Sequence, residues 1–332
     1  MRRNILKFLA FALIAVSVSG CSLVNVVDAS KVATVNGEDI RTSEYMYYLA
    51  LSKMNIQQTA ASAAQSDDFW NTTEIEGKKA GDVAKERALD DAVRATIIAQ
   101  KAKEAGFSAD TPEAKNQISK AKASIGSAYE KYGFTEDGLT LAYEKAYLRT
   151  KLFDKYAEDG TISVGDAEMK EYYEKNYRTV KHILFQTTDP QTGNTVRSDD
   201  EALALANDAL AKLSEGADFD ALMAELSDDP GSKSSPEGYT FTKDGSMVAE
   251  FEDSAFKLLE NEISQPVKTS LGYHILKRVA LIPYDTYVSQ NTNEKIKSAM
   301  ITDAEDKFVD EWKSSAEIKN DSKKYDSIKV EN

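Results

Sequence analysis

Near Thr179 the apolar pattern of this chain changes from helical spacing to short β-type runs, and after Val279 it changes back. A mixed α/β block set between two helical segments must close its own core. The flanking segments are then left to find each other. Before the block, Lys31 to Ile40 reads as a strand with a tight turn at Asn36-Gly37, a pair that supplies positive φ. Thr42 or Ser43 is expected to cap a helix from about Glu44 that carries Tyr45, Met46, Tyr48 and Leu49. Residues 60–79 are rich in Ala, Ser, Asp and Thr and read as loop, with Phe69 and Trp70 as its anchors. Asp82 to Ala105 sets Ala88, Leu89, Ala92, Val93, Thr96 and Ile97 at helical spacing, closed by Gly106 and its apolar follower Phe107. Thr111-Pro112 places Thr at an N-cap and Pro at the first helical position, and that helix is expected to run to about Gly133-Phe134. Thr135 opens another, carrying Leu141, Tyr147, Leu148, Leu152 and Tyr156. Ser163-Val164-Gly165-Asp166 has the spacing of a capping box for a helix through Asn176. Residues 31–176 hold no His, no Cys, no phosphate-binding glycine loop and no metal-ligand spacing. From Tyr284 to the end the pattern is helical again, with no chemistry of its own and a length that suits a return to the first segment.

The first residues are not part of this fold. Met1 to Lys7 is a basic stretch and Phe8 to Val18 an apolar run too short to span a bilayer as a helix, which together read as a secretory signal. It closes with Val18-Ser19-Gly20-Cys21, small residues before the chain's single cysteine. This is similar to a bacterial lipobox, which implies cleavage before Cys21 and lipid on its thiol. A lone cysteine cannot form an internal disulfide, and two acyl chains suffice for stable anchoring. The other reading is an ordinary signal peptide with an incidental cysteine. Removing residues 1–20 takes away Arg2, Arg3 and Lys7 and no acid, so the formal charge moves from −14 to −17. Such a chain lacks the footprint of a nucleic-acid binder, has no electrostatic pull toward an anionic membrane beyond its lipid, and favours basic clients.

Both histidines of the chain stand in the tripeptide His-Ile-Leu, at His182 and His274, each inside a short apolar run with β character. Either alone reads as an ordinary strand histidine. Val180 to Gln186 is expected as a strand, residues 189–194 as a turn, and Ser198-Asp199-Asp200-Glu201 as the start of a helix through Leu213. Phe219 to Leu226 follows as a short helix, 228–238 as a Pro/Gly/Ser loop and 238–242 as a strand. A helix starts near Glu250, and Ile263–Lys268 and Gly272–Val279 complete the strands.

In that order stand Lys181-His182-Ile183-Leu184, Leu226-Ser227-Asp228-Asp229, Gly245-Ser246-Met247, Glu250-Phe251-Glu252-Asp253-Ser254-Ala255-Phe256, Ile263-Ser264-Gln265-Pro266-Val267 and Gly272-Tyr273-His274-Ile275-Leu276. Each is weak alone; all six in sequence resemble the parvulin family of peptidyl-prolyl isomerases. With the lipobox and helical flanks, the chain resembles the extracytoplasmic foldase lipoproteins of Gram-positive bacteria. The Val35-Asn36-Gly37 opening and the helix pairs are similar to SurA-type chaperone arms.

The resemblance implies an α+β fold: a parvulin domain of βα₃β₂ order, a four-stranded antiparallel sheet with surrounding helices, inserted in a mostly helical chaperone domain made of N- and C-terminal segments. The expected division is signal peptide 1–20, tether 21–30, arm 31–176, isomerase 177–281, and a helical segment 282–332 packing back on the arm. It implies that His182 and His274 face each other from neighbouring strands, that Asp229 stands where parvulins carry Asp or Cys, and that Thr269 steadies the histidines. Met247 and Phe251 would form the proline pocket. Parvulins commonly carry Gly-Asp-Leu-Gly and an aromatic residue before Gly-x-Met; here the stretch is Glu237-Gly238-Tyr239-Thr240-Phe241, with Tyr239 or Phe241 in the role of the leucine. The loop in which phosphate-selecting parvulins cluster cations holds Arg197 among Asp189, Asp199 and Asp200, which implies no phosphate preference.

The implied activity is isomerisation of Xaa-Pro bonds in unfolded or partly folded exported proteins, at the outer face of a Gram-positive-type cell membrane. The alternatives are a holdase with an inactive parvulin domain and, more remotely, an adaptor or matrix protein. Whether Asp229 acts directly or orients His182 stays open, as does a homodimer. No cofactor is implied, and two histidines without a usable cysteine make a poor metal set.

Overall fold

The computed structural model describes residues 30–60, 68–125, 133–189 and 192–331, the side chains of 58–60 excepted. The expected signal peptide, the lipidation site Cys21 and residues 21–29 of the tether lie outside them, as do Pro190 and Gln191 of the expected turn. The described chain forms two compact units. One combines the residues up to Ser163 with those from Ile301 on, and the other runs from Val164 to Met300.

The first unit opens with a hairpin, β1 (Lys31–Val35) and β2 (Glu38–Arg41). Asn36 and Gly37 both take positive φ, +51° and +83°, so the turn has the twist a two-residue hairpin needs. Helix α1 (Thr42–Ala60) starts about two residues earlier than expected, so that Thr42 and Ser43, the two expected caps, stand in its first turn. The stretch read as loop contains a one-turn helix, α2 (Phe69–Thr72), and a minimal hairpin of β3 (Glu74–Ile75) and β4 (Lys78–Lys79). Phe69 and Trp70 are fully buried, as anchors would be.

Helix α3 (Ala80–Glu104) buries a face lined with Ala80, Ala84, Ala88, Ala92, Ala99 and Ala102, small enough for neighbouring helices to approach closely. It ends in a Schellman motif, with Phe107 N–H on Ala102 O at 3.0 Å and Gly106 at φ +91°. Helices α4 (Pro112–Ile125) and α5 (Glu136–Glu158) are capped by Thr111 and Thr135, whose hydroxyls accept from Ala114 and Gly138 N–H at 3.1 Å each. Gly138 is required by packing, because a Cβ there would lie 2.0 Å from Ser43 O.

The second unit begins with α6 (Asp166–Asn176), whose N-cap is Gly165 with no side-chain cap bond. The helix starts at Asp166, the residue expected at its third position, so the capping box expected with Ser163 as N-cap does not form. Next come β5 (Tyr177–Gln186), α7 (Asp199–Ser214), α8 (Phe219–Leu226), α9 (Pro230–Ser234), β6 (Tyr239–Thr242), α10 (Ala249–Lys257), β7 (Val267–Thr269) and β8 (Gly272–Val279). Ser198 and Glu201 close a full capping box on α7. The loop expected over 228–238 thus holds α9, and the strand expected over 263–268 is β7, with Ile263 making only an isolated bridge to Lys277.

The sheet is wholly antiparallel in the order β6-β5-β8-β7. Alternation divides β5 and β8 between two layers. Ile183, Phe185 and Ile275 face Ala202, Ala206 and Ala209 of α7 and Phe219, Leu222 and Met223 of α8. Val180 and Leu276 face Phe251, Ala255 and Leu258 at α10. Helix α11 (Tyr284–Asn291) and the start of α12 (Glu294–Ser315) stay with this unit, where Tyr173, Tyr177, Tyr287 and Ile296 pack around α6.

The chain then returns to the first unit. Arg149 of α5 pairs with Glu305, and Arg94 and Asp90 of α3 pair with Asp306 and Lys313. A strand that the sequence pattern did not show, β9 (Ile318–Asn320), adds to β1, and α13 (Ser322–Ser327) sets Tyr325 6.1 Å from Tyr45. Among the described residues no helix is long and apolar enough to cross a membrane.

Candidate active site

In the β5–β8 register His182 lies opposite Leu276, and His274 opposite Leu184. The histidines are therefore diagonal neighbours on one face of the sheet, the face under α10. Their rings stack at 5.2 Å and 21°, with Nδ1 to Nδ1 at 3.0 Å. Each ring has a further partner at Nε2: Asp229 Oδ2 for His182 at 2.9 Å, and Thr269 Oγ1 for His274 at 2.9 Å.

The backbone places Asp229 for a definite reason. Strand β6 pairs with β5 only as far as Val180, so later polar groups on that side of β5 need other partners. Leu184 N–H donates to Ser227 Oγ, Leu184 O accepts from Asp228 N–H, and Gln186 N–H donates to Asp228 Oδ2. This stitching sets Asp229 as the N-cap of α9, with Pro230 at the first helical position. Its Oδ1 accepts from Gly231 N–H at 3.0 Å. Its Oδ2 accepts from Ser232 N–H, the Ser232 hydroxyl and the Tyr239 hydroxyl at 2.9, 2.8 and 2.8 Å, as well as from His182.

These contacts fix the electrostatics. The bond from His182, aided by those from Ser232, Tyr239 and Gly231, holds the Asp229 carboxyl well below the usual range, against the opposing effect of its burial. Burial, with the neighbouring His182, lowers His274 to about 3, so His274 is neutral at neutral pH. An ionised carboxylate only accepts, so His182 donates through Nε2. In a neutral pair His182 Nδ1 then accepts from His274 Nδ1–H, and His274 Nε2 accepts from the Thr269 hydroxyl. Thr269 Oγ1 in turn accepts from Leu271 N–H at 3.1 Å. With both rings neutral, the donors run in one direction, from β7 to Asp229.

An aromatic wall covers the chain. Phe251 turns its ring perpendicular to both imidazoles, 5.2 Å from His182 and 5.4 Å from His274. Met247 is half-buried and packs in the same apolar cluster. The two candidates for the leucine position part company here. Tyr239 stands 5.6 Å from the His182 ring, whereas Phe241 is buried behind Phe251 and Phe256 in the core. The sequence reading missed Ser232, which is 2% exposed and donates twice to Asp229, and it missed the bracing by Ser227 and Asp228. The signal was present in Asp229-Pro230, the same cap-and-proline pattern as Thr111-Pro112. Among the described residues no group of three or more His, Cys, Asp or Glu could hold a metal ion.

Residues 168–280 match the family model for a PPIC-type peptidyl-prolyl isomerase domain, and residues 3–140 match a SurA-like N-terminal domain. The foldase protein PrsA of Caldanaerobacter subterraneus subsp. tengcongensis is 31% identical over 319 residues, covering 94% of this chain and 92% of its own. The foldase protein PrsA of Clostridium kluyveri is 28% identical over 355 residues, covering 95% and 97%. A crystal structure of the peptidylprolyl isomerase PrsA from Bacillus anthracis is 25% identical, covers 74% of this chain and 99% of its own, and has a TM-score of 0.34. The chain belongs to the PrsA foldase family and carries a parvulin-type peptidyl-prolyl cis–trans isomerase.

Proposed function

We propose that the mature protein is anchored through lipid on Cys21 at the extracytoplasmic face of the cell membrane, and that there it isomerises Xaa-Pro bonds of unfolded or partly folded exported chains without a covalent intermediate. The anchoring rests on the Val18-Ser19-Gly20-Cys21 pattern, and mass measurement of the membrane-extracted protein tests it. An unmodified thiol, or release into the medium unaffected by Cys21→Ala, counts against it.

The single observation that carries the catalytic reading is the Thr269–His274–His182–Asp229 chain lying under the edge of Phe251. Rotation of an Xaa-Pro amide meets a barrier of roughly 18–20 kcal/mol and takes tens of seconds or more unaided. No bond to the substrate is needed. The twisted amide has lost resonance, its nitrogen is pyramidal and its oxygen carries less charge. An apolar wall of Met247 and Phe251 grips the pyrrolidine ring, so binding energy favours the twisted form. The two histidines set the polarity beside the carbonyl, and Asp229 orients His182. With five donor contacts already on its oxygens, Asp229 acts by positioning rather than by touching the amide.

The test is a cis–trans assay on unphosphorylated Xaa-Pro peptides with wild type, His274→Ala and Asp229→Ala. The expected outcome is a loss of at least about tenfold in each variant with the fold intact. Wild-type rates in both variants would move the site elsewhere. No catalysis in wild type would leave the helical unit as the working part.

Phosphoserine before proline brings no gain, because Arg197, the cation of the loop in which phosphate-selecting parvulins cluster theirs, is already engaged, as is Lys268. Asp228 holds the Arg197 guanidinium, and Asp199 holds the Lys268 ammonium. A strong preference for the phosphorylated peptide in the same assay overturns that part.

A further inference from the structure

Asp229 receives donors from two sources. Gly231 N–H, Ser232 N–H and the Ser232 hydroxyl all belong to α9, the helix that Asp229 itself caps, and they move with it. The other two come from the sheet, His182 Nε2 on β5 and the Tyr239 hydroxyl on β6. Among the described residues Tyr239 is thus the one group besides His182 that ties this carboxylate to the sheet.

Gly231 shows that the contact has a cost. An alanine Cβ there would lie 1.9 Å from the Tyr239 hydroxyl, and 3.2 Å from both Asp229 Oδ1 and Tyr239 Cζ. Gly231 is not among the glycines at positive φ, so the backbone does not require it. Glycine within a helix is less favourable than alanine by up to about 1 kcal/mol. The space it leaves is taken by the tyrosine hydroxyl. Burial, with Asp229 alongside, raises the Tyr239 hydroxyl above its ordinary range, so it remains a donor at any working pH.

We propose that Tyr239 is a positioning residue for the isomerisation: its hydroxyl, admitted by the missing side chain of Gly231, pins the Asp229 carboxylate to the sheet and so holds the histidine pair in a single tautomeric arrangement. This rests on the assignment of His182, His274 and Asp229 to the active site. Without the hydroxyl, His182 alone tethers the carboxylate to the sheet. The Asp229 carboxylate, on a backbone still stitched to β5 through Ser227 and Asp228, can then turn about its side-chain torsions, and the direction of the donor chain through the two imidazoles is no longer imposed from its end.

The experiment uses the full mature chain and compares wild type, Tyr239→Phe, Gly231→Ala and the double variant. Peptide isomerisation is resolved into kcat and KM, and ring ¹⁵N spectra report the histidine tautomers. Tyr239→Phe keeps the ring beside His182, so KM holds while kcat falls about fivefold, the loss of one hydrogen bond's worth of positioning. The ¹⁵N spectrum changes from His182 protonated at Nε2 and His274 at Nδ1 to a mixture. Gly231→Ala displaces the hydroxyl and reproduces both effects, and the double variant is no worse than Tyr239→Phe alone.

A Tyr239→Phe protein with wild-type kcat and an unchanged tautomer spectrum overturns the proposal and leaves Tyr239 as a wall of the pocket. A rise in KM alone has the same meaning. If His274→Ala and Asp229→Ala lose activity while Tyr239→Phe does not, only this inference fails. If those two variants also keep full activity, the active-site assignment itself fails. Should Gly231→Ala not fold, Tyr239→Phe decides alone, since it removes one oxygen atom and leaves the packing of the ring in place.

Discussion

In the helical unit Lys145 of α5 meets Glu44 of α1 at 2.7 Å and Thr96 of α3 at 2.8 Å. In the isomerase unit Asp229, His182, His274 and Thr269 line up through three contacts of 2.9, 3.0 and 2.9 Å. Both clusters are buried polar networks under apolar cover; residue spacing marks neither, and only the second was expected, from the family resemblance. They are built on different plans. The helical cluster is closed: Glu44, Lys145 and Thr96 are 1%, 7% and 0% exposed, and its opposite charges neutralise each other. The isomerase cluster keeps its histidines buried but ends in an Asp229 side chain that is 23% exposed, with an aromatic edge laid across the imidazoles. Burial of polar groups is therefore not the mark of a site in this protein. The mark is a polar row that approaches solvent at one end and lies against an apolar wall.

Breaking the closed cluster has the larger effect. Burial raises the Glu44 carboxyl even with Lys145 beside it. Lys145→Met leaves that carboxylate buried without its cation and is expected to destabilise the helical unit by about 3–5 kcal/mol, read from denaturant unfolding. Isomerase activity assayed below the transition stays at the wild-type level. A loss of activity in the still-folded variant would mean that the two networks are not separable.

Acid titration sharpens the comparison from the other side. Burial holds His274 down to about 3 in the folded state, against an ordinary value near 6.5. Between those pH values the unfolded chain binds a proton that the folded one does not. Stability of the isomerase unit therefore falls as pH drops through this window, by at most about 1.4 kcal/mol per pH unit. Asp229 adds to this at the acid end. Its folded value is depressed, so its contribution is present above the ordinary carboxylate range and is lost as pH falls below it. Unfolding curves of wild type and His274→Gln between pH 7 and 4 should converge toward acid, the variant having the flatter slope. Parallel slopes would show that His274 takes up its proton in the folded state as readily as in the unfolded one.

The sheet and its site were legible to different degrees, for physical reasons. Short apolar runs with β character around His182 and His274 predicted strands, and the strong local signals held: Asn36-Gly37, Gly106, Thr111-Pro112 and Ser198-to-Glu201 all fold as their chemistry dictates. The pairing of the histidines came from resemblance, since two imidazoles about ninety positions apart meet only through the β5–β8 register. Ser163 misled because the spacing of a capping box does not by itself fix where a helix starts. Strand β9 was hidden because Ile318-Lys319-Asn320 has no alternation to show; it is made a strand by the open edge of β1. Ser232 was hidden because a serine in a Pro/Gly/Ser stretch looks like any loop residue until Asp229 is seen to cap α9.

The smallest expected effect discriminates best between the two plans. Removing both charges of the closed cluster together, as Glu44→Leu with Lys145→Met, takes away the cation and the carboxylate at once and leaves apolar side chains of similar volume. Such replacements are often neutral or stabilising, because the desolvation of both ions is relieved along with their attraction. The double variant should therefore unfold within about 1 kcal/mol of wild type, far from the single Lys145→Met, once Thr96 Oγ1 falls back on its bond to Ala92 O at 2.7 Å. No comparable rescue exists for the histidine row. Replacing His182 and His274 together with apolar residues can restore packing under Phe251, but it deletes the polarity beside the amide, so stability recovers while catalysis does not. A double variant of the helical cluster as unstable as Lys145→Met would show that the pair itself, and not merely its balance, holds α1, α3 and α5 together.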